Sequence, residues 1–474
     1  DAAILAARIV KFSASPATKQ VDTACSRRLQ SFIPALVLKV ITSSRPVPAL
    51  TRTLAITERI LRRSAYLALL NENEQALSRL VDLCSRSEYI AEQMASYPAL
   101  LDELLDPKAF TGEVTKKDLA EELKLKLDAV VSDSSGSELE MGAIAQFQRA
   151  AMFRIAIEDF NDRLPIMKVS DGLTWLAELV LDEALRVAWH DMTQRYGAPC
   201  YVVDGNIYRA GFGIVGYGKL GGLELSYGSD LDIVFLHDSR ADQQYTDGDK
   251  SIGNALFFNR LVRRLVHFLT TQTGSGELYD IDTRLRPDGR SGLLVSSTEA
   301  FERYQEDNAW TWEHQALLRA RAVAGSPSIA AEFERIRKET LHKRVRRDQL
   351  RSDVISMRQK MRKKIDCSDV ETFDLKHGQG GIGDIEFLVQ YLVLQNAEKH
   401  SGLISLSDNI RQIDALITAG ILCETSGEKA QNIYKDYRLE AHRLVLDGKK
   451  ALCGPNDFRA EREFVATLWD DWLA

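Results

Sequence analysis

Cysteine is scarce in this 474-residue sequence, and its spacing does not match a metal-binding motif. Six cysteines are scattered along the chain without a Cys-x-x-Cys motif, so structural zinc and a disulfide framework are both disfavoured. No apolar run reaches the roughly 18 residues that a membrane-spanning helix needs. The chain opens at Asp1 without the charged-then-apolar pattern of a signal peptide. These absences predict a cytoplasmic protein with reduced thiols and no membrane partner.

An excess of basic residues is also missing. Lys and Arg total 61 against 68 Asp and Glu, which gives a formal net charge of −7. Phosphate-backbone binding usually requires a basic surplus, so we expect no nucleic-acid partner. The hydrophobic share of 45% and charged share of 27% are ordinary for a globular protein, and the length predicts two or three structural units.

The sequence pattern changes near residue 196 and again near residue 330. Helical periodicity dominates residues 1–195 and 331–474, whereas glycines and short β-rich segments are dense in 196–330. The expected fold class is therefore α+β and mostly helical: an N-terminal helical region, a central unit with a mixed sheet, and a C-terminal helical bundle. The strands predicted for the centre are Phe212–Tyr217, Leu231–Leu236, Leu278–Leu285 and Leu293–Ser296.

A glycine-rich segment at 213–222 follows the first of these strands and suits phosphate binding. It matches GxxxxGK, but Leu220 stands where a P-loop needs Ser or Thr for magnesium. It also contains GxGxxG, yet only seven residues separate Gly222 from Asp230, too few for the crossover of a dinucleotide fold. The third interpretation, a glycine phosphate loop, a short helical turn and a strand opening Asp-x-Asp, accounts for the whole segment.

Two carboxylates begin the second predicted strand. Residues i and i+2 share one face of a strand, so Asp230 and Asp232 point the same way while Leu231 packs on the other side. Paired carboxylates repel each other unless a cation lies between them, and their oxygens suit Mg²⁺ or Mn²⁺. The alternative is a strand end with solvated acids.

The third predicted strand carries acids and then arginines in alternation. Period-2 geometry would place Asp280, Asp282, Arg284 and Arg286 on one face, where a third metal ligand could lie beside guanidiniums that bind phosphate. Periodicity leaves the choice between Asp280 and Asp282 open. A surface strand with ion pairs is the alternative interpretation.

Two further segments have ambiguous roles. The basic stretch 342–364 is interpreted as a solvated helix face, with a docking surface for an acidic partner as the alternative. Trp310 and Trp312 are expected to pack in the core, close to Arg319 and Arg321, either of which could reach a phosphate.

With these motifs in hand, the sequence resembles the glutamine synthetase adenylyltransferase family, bifunctional enzymes that add and remove AMP on glutamine synthetase. The likeness covers nearly the whole chain. Its most specific stretches are GYGKLGGLELSYGSDLDIVFLHD (216–238), LYDIDTRLRPDG (278–289), AWTWEHQALLRARAV (309–323) and GQGGIGDIEFLVQYLVL (378–394). These motifs are similar to those of the C-terminal, AMP-adding half of that family.

The resemblance implies a polymerase-β-like nucleotidyltransferase domain at 196–330 that uses ATP with Mg²⁺ or Mn²⁺. It selects Asp282 over Asp280 as the third carboxylate. Catalysis and metal binding are then expected of Asp230, Asp232 and Asp282; ATP binding is expected of Lys219, Gly221, Gly222, Ser229, Arg284 and Arg286.

The implied protein substrate is glutamine synthetase, which would accept AMP on a tyrosine, with the signalling protein PII as a partner and glutamine as an effector. Two alternatives stay open: phosphorolytic removal of AMP, or a PII-binding regulatory module without catalysis.

Overall fold

The computed structural model describes residues 2–105, 115–131, 136–161, 164–272 and 276–473. Helices dominate this part of the chain, and the sheets are small, as expected from the sequence. The chain divides into two compact units, each built from separate segments. The first unit comprises Asp1–Val114, Arg149–Pro165 and His442–Lys450, and the second comprises Thr115–Gln148, Ile166–Ala441 and Ala451–Ala474. The predicted division at 195 and 330 remains a prediction.

The first unit is a helical array. Its helices α1–α7 are Ala2–Ser13, Pro16–Lys19, Thr23–Ile41, Pro46–Ile60, Ser64–Glu72, Glu74–Arg86 and Glu88–Ser96, followed by a 3-10 helix at Pro98–Leu104. Helix α6 shows why they form: the Asn73 side chain caps it by accepting from the Ala76 amide. Leu77, Leu80, Val81 and Cys84 recur at helical spacing and are buried on one face. This face packs against α4.

Five helices of the second unit, α10 to α13 and α15, pack against its strands. Helices α8 to α20 are Lys116–Val131, Ser137–Phe160, Ile166–Tyr196, Gly218–Gly221, Asn254–Thr270, Thr298–Asp307, Thr311–Leu318, Pro327–Lys343, Arg347–Ile365, Ile382–Asn396, Asn409–Thr418, Glu424–Leu446 and Arg459–Leu473. Helices α9 and α19 each supply residues to both units. The helix pattern predicted from residue 331 onward is confirmed, with boundaries that differ by a few residues. No helix in the described ranges is long and apolar enough to cross a membrane.

The main sheet is mixed and has the strand order β6–β4–β3–β8, with β7 also paired to β4. Strands β3 and β4 are antiparallel, as are β3 and β8, whereas β6 and β7 each run parallel to β4. Strands β2–β1–β5 form a second, antiparallel sheet, and β9 and β10 form a short pair. Strands β1–β10 are Pro199–Val203, Asn206–Arg209, Phe212–Gly216, Leu231–His237, Asp242–Thr246, Ile281–Asp282, Val295–Ser297, Arg321–Gly325, Phe373–Asp374 and Leu452–Cys453.

Aromatic packing anchors the main sheet to helices α10 and α12. The Trp189 ring of α10 lies 5.6 Å from the Phe257 ring in an edge-on contact, and 6.5 Å from the ring of Phe212 on β3. Phe212 in turn stacks on Phe235 of β4 at 6.0 Å. Aromatic pairs of this kind contribute stability beyond that from the apolar area they bury. The two central strands are thereby held rigidly, and the residues at their ends have fixed positions.

The antiparallel pairing of β3 and β4 removes the dinucleotide-fold interpretation, which needs parallel strands joined by a crossover. The predicted strand at 278–285 is largely wrong, because only Ile281 and Asp282 pair in a sheet. Beyond them the chain turns: the Arg284 amide donates to the Asp282 carboxylate at 2.8 Å, and the Arg286 amide donates to the Thr283 carbonyl at 3.3 Å. Local hydrogen bonds of this kind compete with a strand.

Two other expectations need correction. Trp310 is 63% exposed and Trp312 is 36% exposed, so neither is a core residue. The basic stretch 342–364 is only partly a solvated face, because Arg358 is buried and donates to Asp384 at 2.6 Å. Arg362 also donates to Asp384, at 2.7 Å. A helical period cannot show which cations of a basic segment have a buried partner elsewhere.

Candidate active site

The glycine segment forms a tight turn at the end of strand β3. The chain leaves β3 at Gly216 and enters the single turn of α11, which begins at Gly218 with a φ of +53°. A Cβ atom at Gly218 would lie 2.5 Å from Oδ2 of Asp232, closer than any carbon–oxygen contact allows. Glycine is therefore required here by conformation and by space, and the turn lies directly against a predicted catalytic carboxylate.

Gly221 and Gly222 are needed for a different reason. A Cβ at Gly221 would lie 2.0 Å from the Arg319 carbonyl oxygen, and one at Gly222 would lie 2.6 Å from Nη2 of Arg319. Both glycines are buried. The structure therefore explains them by close packing on Arg319, and their predicted contact with ATP stays a prediction.

The three predicted carboxylates come together at one edge of the main sheet. Strand β4 runs parallel to β6, and its register pairs Asp232 directly with Asp282. Asp230 is exposed and precedes Asp232 by two residues, on the same side of the chain. Burial, then the Asp230 and Asp282 carboxylates, raise the pKa of Asp232 to about 6. Negative charge is thus concentrated around the partly buried carboxylate of Asp232.

Arg284 supplies positive charge to this edge. Its Nε donates to Oδ2 of Asp282 at 2.6 Å, and this hydrogen bond is the main cause of the lowered pKa of Asp282. The Arg284 side chain is 63% exposed, so its guanidinium is reachable from solvent. The prediction that Arg284 and Asp282 lie side by side is correct, although a turn rather than a strand holds them.

Arg286 is placed differently from its prediction. Its side chain donates to the Thr283 carbonyl at 2.7 Å, to the Arg290 carbonyl at 3.2 Å and to the Gly292 carbonyl at 3.3 Å. These bonds close the loop after β6, and the residue is only 9% exposed. The structure therefore gives Arg286 a loop-holding role, and ATP binding by it remains a prediction.

Lys219 of the glycine turn and Ser229 are in contact. Lys219 Nζ donates to the hydroxyls of Ser226 at 3.2 Å and Ser229 at 3.3 Å. Burial, followed by the charge of Lys376, lowers the pKa of Lys219 to about 8. The lysine therefore links the glycine turn to the segment that leads into Asp230.

An open cleft of 760 Å³ lies between the segment at 228–230 and the segment at 280–290. Four predicted residues line it, namely Asp230, Asp282, Arg284 and Arg286. The remaining lining residues are Gly228, Asp280, Ile281, Thr283 and Arg290. Of these, Arg290 adds a cation that sequence reasoning missed, although it follows the Arg-Leu-Arg-Pro motif closely enough to have been suspected.

Sequence reasoning also missed the groups beneath the turn. Arg321 donates to the carbonyls of Leu220 and Gly221, both at 3.1 Å. Arg319 donates to the buried carboxylate of Glu224 and, at 2.9 Å, to Glu386. The two arginines flagged in the sequence as possible phosphate ligands thus bind the underside of the turn. A charged residue between Leu223 and Leu225 was the available signal for Glu224.

The glycine turn and the three neighbouring carboxylates lie within a segment that matches a family of adenylyltransferases. Residues 77–336 match the model of the family described as glutamate-ammonia ligase adenylyltransferase. This match covers more than half of the chain, so the chain belongs to the glutamate-ammonia ligase adenylyltransferase family. Residues 349–451 match a second model, described as GlnD PII-uridylyltransferase.

Curated relatives agree with this assignment. The chain is 47% identical over 442 residues to the bifunctional glutamine synthetase adenylyltransferase/adenylyl-removing enzyme of Thioalkalivibrio sulfidiphilus, covering 93% of this chain and 45% of that protein. Proteins of the same name from Pseudomonas syringae and Hahella chejuensis are 44% and 43% identical. These matches cover 96% and 94% of this chain and 47% and 46% of those proteins. The chain spans about half the length of the curated relatives it matches.

Proposed function

We propose that this chain transfers AMP from ATP to a tyrosine hydroxyl of glutamine synthetase, with release of pyrophosphate. The observation that carries the proposal is the register of Asp232 with Asp282 beside the glycine turn. In the proposed complex, a triphosphate would lie along Lys219 and present its α-phosphate to these paired carboxylates. The names of the curated relatives supply the substrate.

The finer fold assignment in this proposal is a polymerase-β-like nucleotidyltransferase domain. Its support is the mixed sheet, in which the turn joins antiparallel strands β3 and β4 while the third carboxylate arrives on the parallel strand β6. Polar groups at the ends of neighbouring strands then converge on one edge, next to the cleft.

The residues at this edge fit a divalent cation, Mg²⁺ or Mn²⁺. Asp232 carries a carboxylate whose ionisation is opposed by burial and by two neighbouring carboxylates, a repulsion that a bound cation would relieve. Within the described ranges no three acidic, histidine or cysteine side chains stand close enough to hold a metal as they are, and Asp282 is bonded to Arg284. Asp230 and Asp232 would thus be the first ligands, with Asp282 joining them once its side chain leaves Arg284.

Such a cation lowers the pKa of an attacking hydroxyl and neutralises phosphate charge. The chain's own residues do the positioning. Lys219 and Ser229 would contact the outer phosphates, the turn at Gly221 and Gly222 would lie behind them, and Arg284 would meet phosphate oxygens from the cleft side. Arg286 would contribute by shaping the loop as well as by its charge. Positioning and electrostatics of this kind account for most catalysis of phosphoryl and nucleotidyl transfer.

The proposed partners are glutamine synthetase as protein substrate, PII as a regulator and glutamine as an effector. The match of 349–451 to a PII-uridylyltransferase model supports a link to PII. A second candidate activity is phosphorolytic removal of AMP, favoured by the words "adenylyl-removing" in the names of the relatives. A PII-binding module without catalysis is a third, which the complete set of carboxylates disfavours.

Label transfer tests the proposal. The chain is mixed with unmodified glutamine synthetase, Mg²⁺ and ATP labelled at either the α- or the γ-phosphate. Transfer of the α-label alone is expected, with a loss of about 10²-fold or more in Asp232→Asn and Asp282→Asn.

Asp280→Asn is the matched control, because Asp280 is an exposed neighbour on the same segment, and it should keep most of the activity. Full transfer by Asp232→Asn would refute the proposed site. Release of AMP from modified glutamine synthetase on addition of phosphate, without any transfer, would establish the removal activity instead.

A further inference from the structure

A buried charge network lies beneath the glycine turn and centres on Glu224. Glu224 is 3% exposed, yet its carboxylate has a full set of partners. It accepts from the Arg319 guanidinium, from the Tyr434 hydroxyl at 2.7 Å and from the Asn409 amide at 3.1 Å. Burial alone would raise the pKa of Glu224, but Arg319 and Arg438 hold it below its ordinary value. Glu224 is therefore a buried, ionised carboxylate.

The partners come from two distant parts of the sequence. Arg319 ends helix α14, within the family match at 77–336. Asn409 begins α18, whereas Tyr434 and Arg438 lie on α19, within the match at 349–451. The Tyr434 hydroxyl also donates to Oε1 of Glu386 on α17 at 3.1 Å, and Arg319 donates to the same oxygen at 2.9 Å. One carboxylate thus joins the C-terminal helices to the segment just after the turn.

Direct bonds connect this network to the turn itself. The Glu224 amide donates to the Lys219 carbonyl at 2.8 Å, which fixes the backbone of the residue that reaches Ser226 and Ser229. Arg438 donates to the Glu224 carbonyl at 3.2 Å, and Ser407 donates to the Gly221 carbonyl at 2.8 Å.

The Arg319 guanidinium packs so closely on Gly222 that no Cβ fits between them. A displacement of the C-terminal helices would therefore be transmitted to the backbone of the turn.

We propose that Glu224 is a positioning residue for the nucleotide, and that the C-terminal segment 407–438 sets the conformation of the glycine turn through it. This inference rests on the proposed binding of ATP at the turn and extends it to the regulation of that site. Ligands or partners that move helices α18 and α19 would then change ATP affinity without touching the nucleotide. A network of this kind is sensitive to the loss of a single partner, because a buried charge with incomplete hydrogen bonding is destabilising.

Helix α19 offers a matched pair of variants. Tyr434→Phe removes one hydroxyl bonded to Glu224, and Tyr437→Phe removes another buried hydroxyl, which donates to the Gly380 carbonyl at 3.0 Å. Both tyrosines are at most 1% exposed, so the two variants should lose similar thermal stability. The measurements are binding of a fluorescent ATP derivative with Mg²⁺ and the KM values for ATP and glutamine synthetase in AMP transfer.

We expect Tyr434→Phe to raise the Kd and KM for ATP about fivefold or more, since a bond to a charged group is lost. The KM for glutamine synthetase should change little, and Tyr437→Phe should keep both nucleotide constants within about twofold of wild type. Ser407→Ala, which removes a second bond to the turn, should shift ATP affinity in the same direction and guards against a folding defect in Tyr434→Phe.

Two outcomes would overturn the inference separately from the proposed function. Suppose that the wild type transfers AMP and that Tyr434→Phe, Ser407→Ala and Tyr437→Phe all bind ATP as tightly as the wild type does. This result would refute the positioning role alone. A wild type that neither binds ATP nor transfers AMP would refute the proposed function and the inference with it.

Discussion

The close approach of Gly218 to Asp232 gives a sharp prediction for Gly218→Ala. A left-handed backbone costs a non-glycine residue about 1–2 kcal/mol. The added Cβ would also lie 2.5 Å from Oδ2 of Asp232, so the carboxylate or the turn must move by about 1 Å to reach ordinary contact. A shift of that size at reacting groups lowers the rate about 10²-fold. Overpacking adds about 1–3 kcal/mol of destabilisation to the conformational cost.

Gly205→Ala separates these two effects. Gly205 has a φ of +79°, so it carries the same kind of conformational cost, but a Cβ there meets nothing within 4 Å. It lies in the β1–β2 turn, outside the cleft lining. AMP transfer from α-labelled ATP and urea unfolding would be measured for both variants. Gly205→Ala should lose stability while keeping its rate, and wild-type transfer by Gly218→Ala would refute the assigned geometry.

Two other predictions concern the cations of the site. The pKa of Lys219 is lowered from 10.5 to about 8, so between those pH values the unfolded chain holds a proton that the folded chain has lost. Stability relative to Lys219→Met should therefore rise across pH 8 to 10.5, by up to about 3 kcal/mol, in urea titrations; parallel pH profiles would contradict this. Arg284→Gln should raise the KM for ATP about tenfold with little change in unfolding temperature, because its guanidinium is largely exposed. A large loss of stability with an unchanged KM would show that Arg284 is structural.

The fold and site were predictable where local pattern and structure coincide. The apolar run after Asp232 predicts β4, and the helical period beyond residue 331 predicts α17, because burial imposes both patterns. The spacing of the residues was also sufficient to put Asp230 and Asp232 on one side of a strand, whereas the choice of Asp282 over Asp280 came from the family resemblance. Alternation failed after Asp282, where side-chain bonds to the backbone form a turn that no period reveals.

The supporting groups were beyond prediction from pattern because they depend on distant residues. Glu224 pairs with Arg319, 95 positions away, and with Tyr434, 210 positions away. The exposed position of Trp310 has the same origin, since its exposure depends on which elements pack around α14. Single-sequence reasoning therefore finds the groups that face the cleft more readily than the groups that hold them in place.

The separation between Glu224 and Tyr434 has a consequence for biosynthesis. A ribosome adds about 5–20 residues per second, so Glu224 is made about 10–40 s before the hydroxyl that satisfies it. Throughout that interval the strands around the cleft can pair, while the carboxylate under the glycine turn lacks its C-terminal counterparts. An excised fragment ending near residue 330 would keep this immature state permanently. The carboxylate under the glycine turn thus gains these partners only after α18 and α19 have been made.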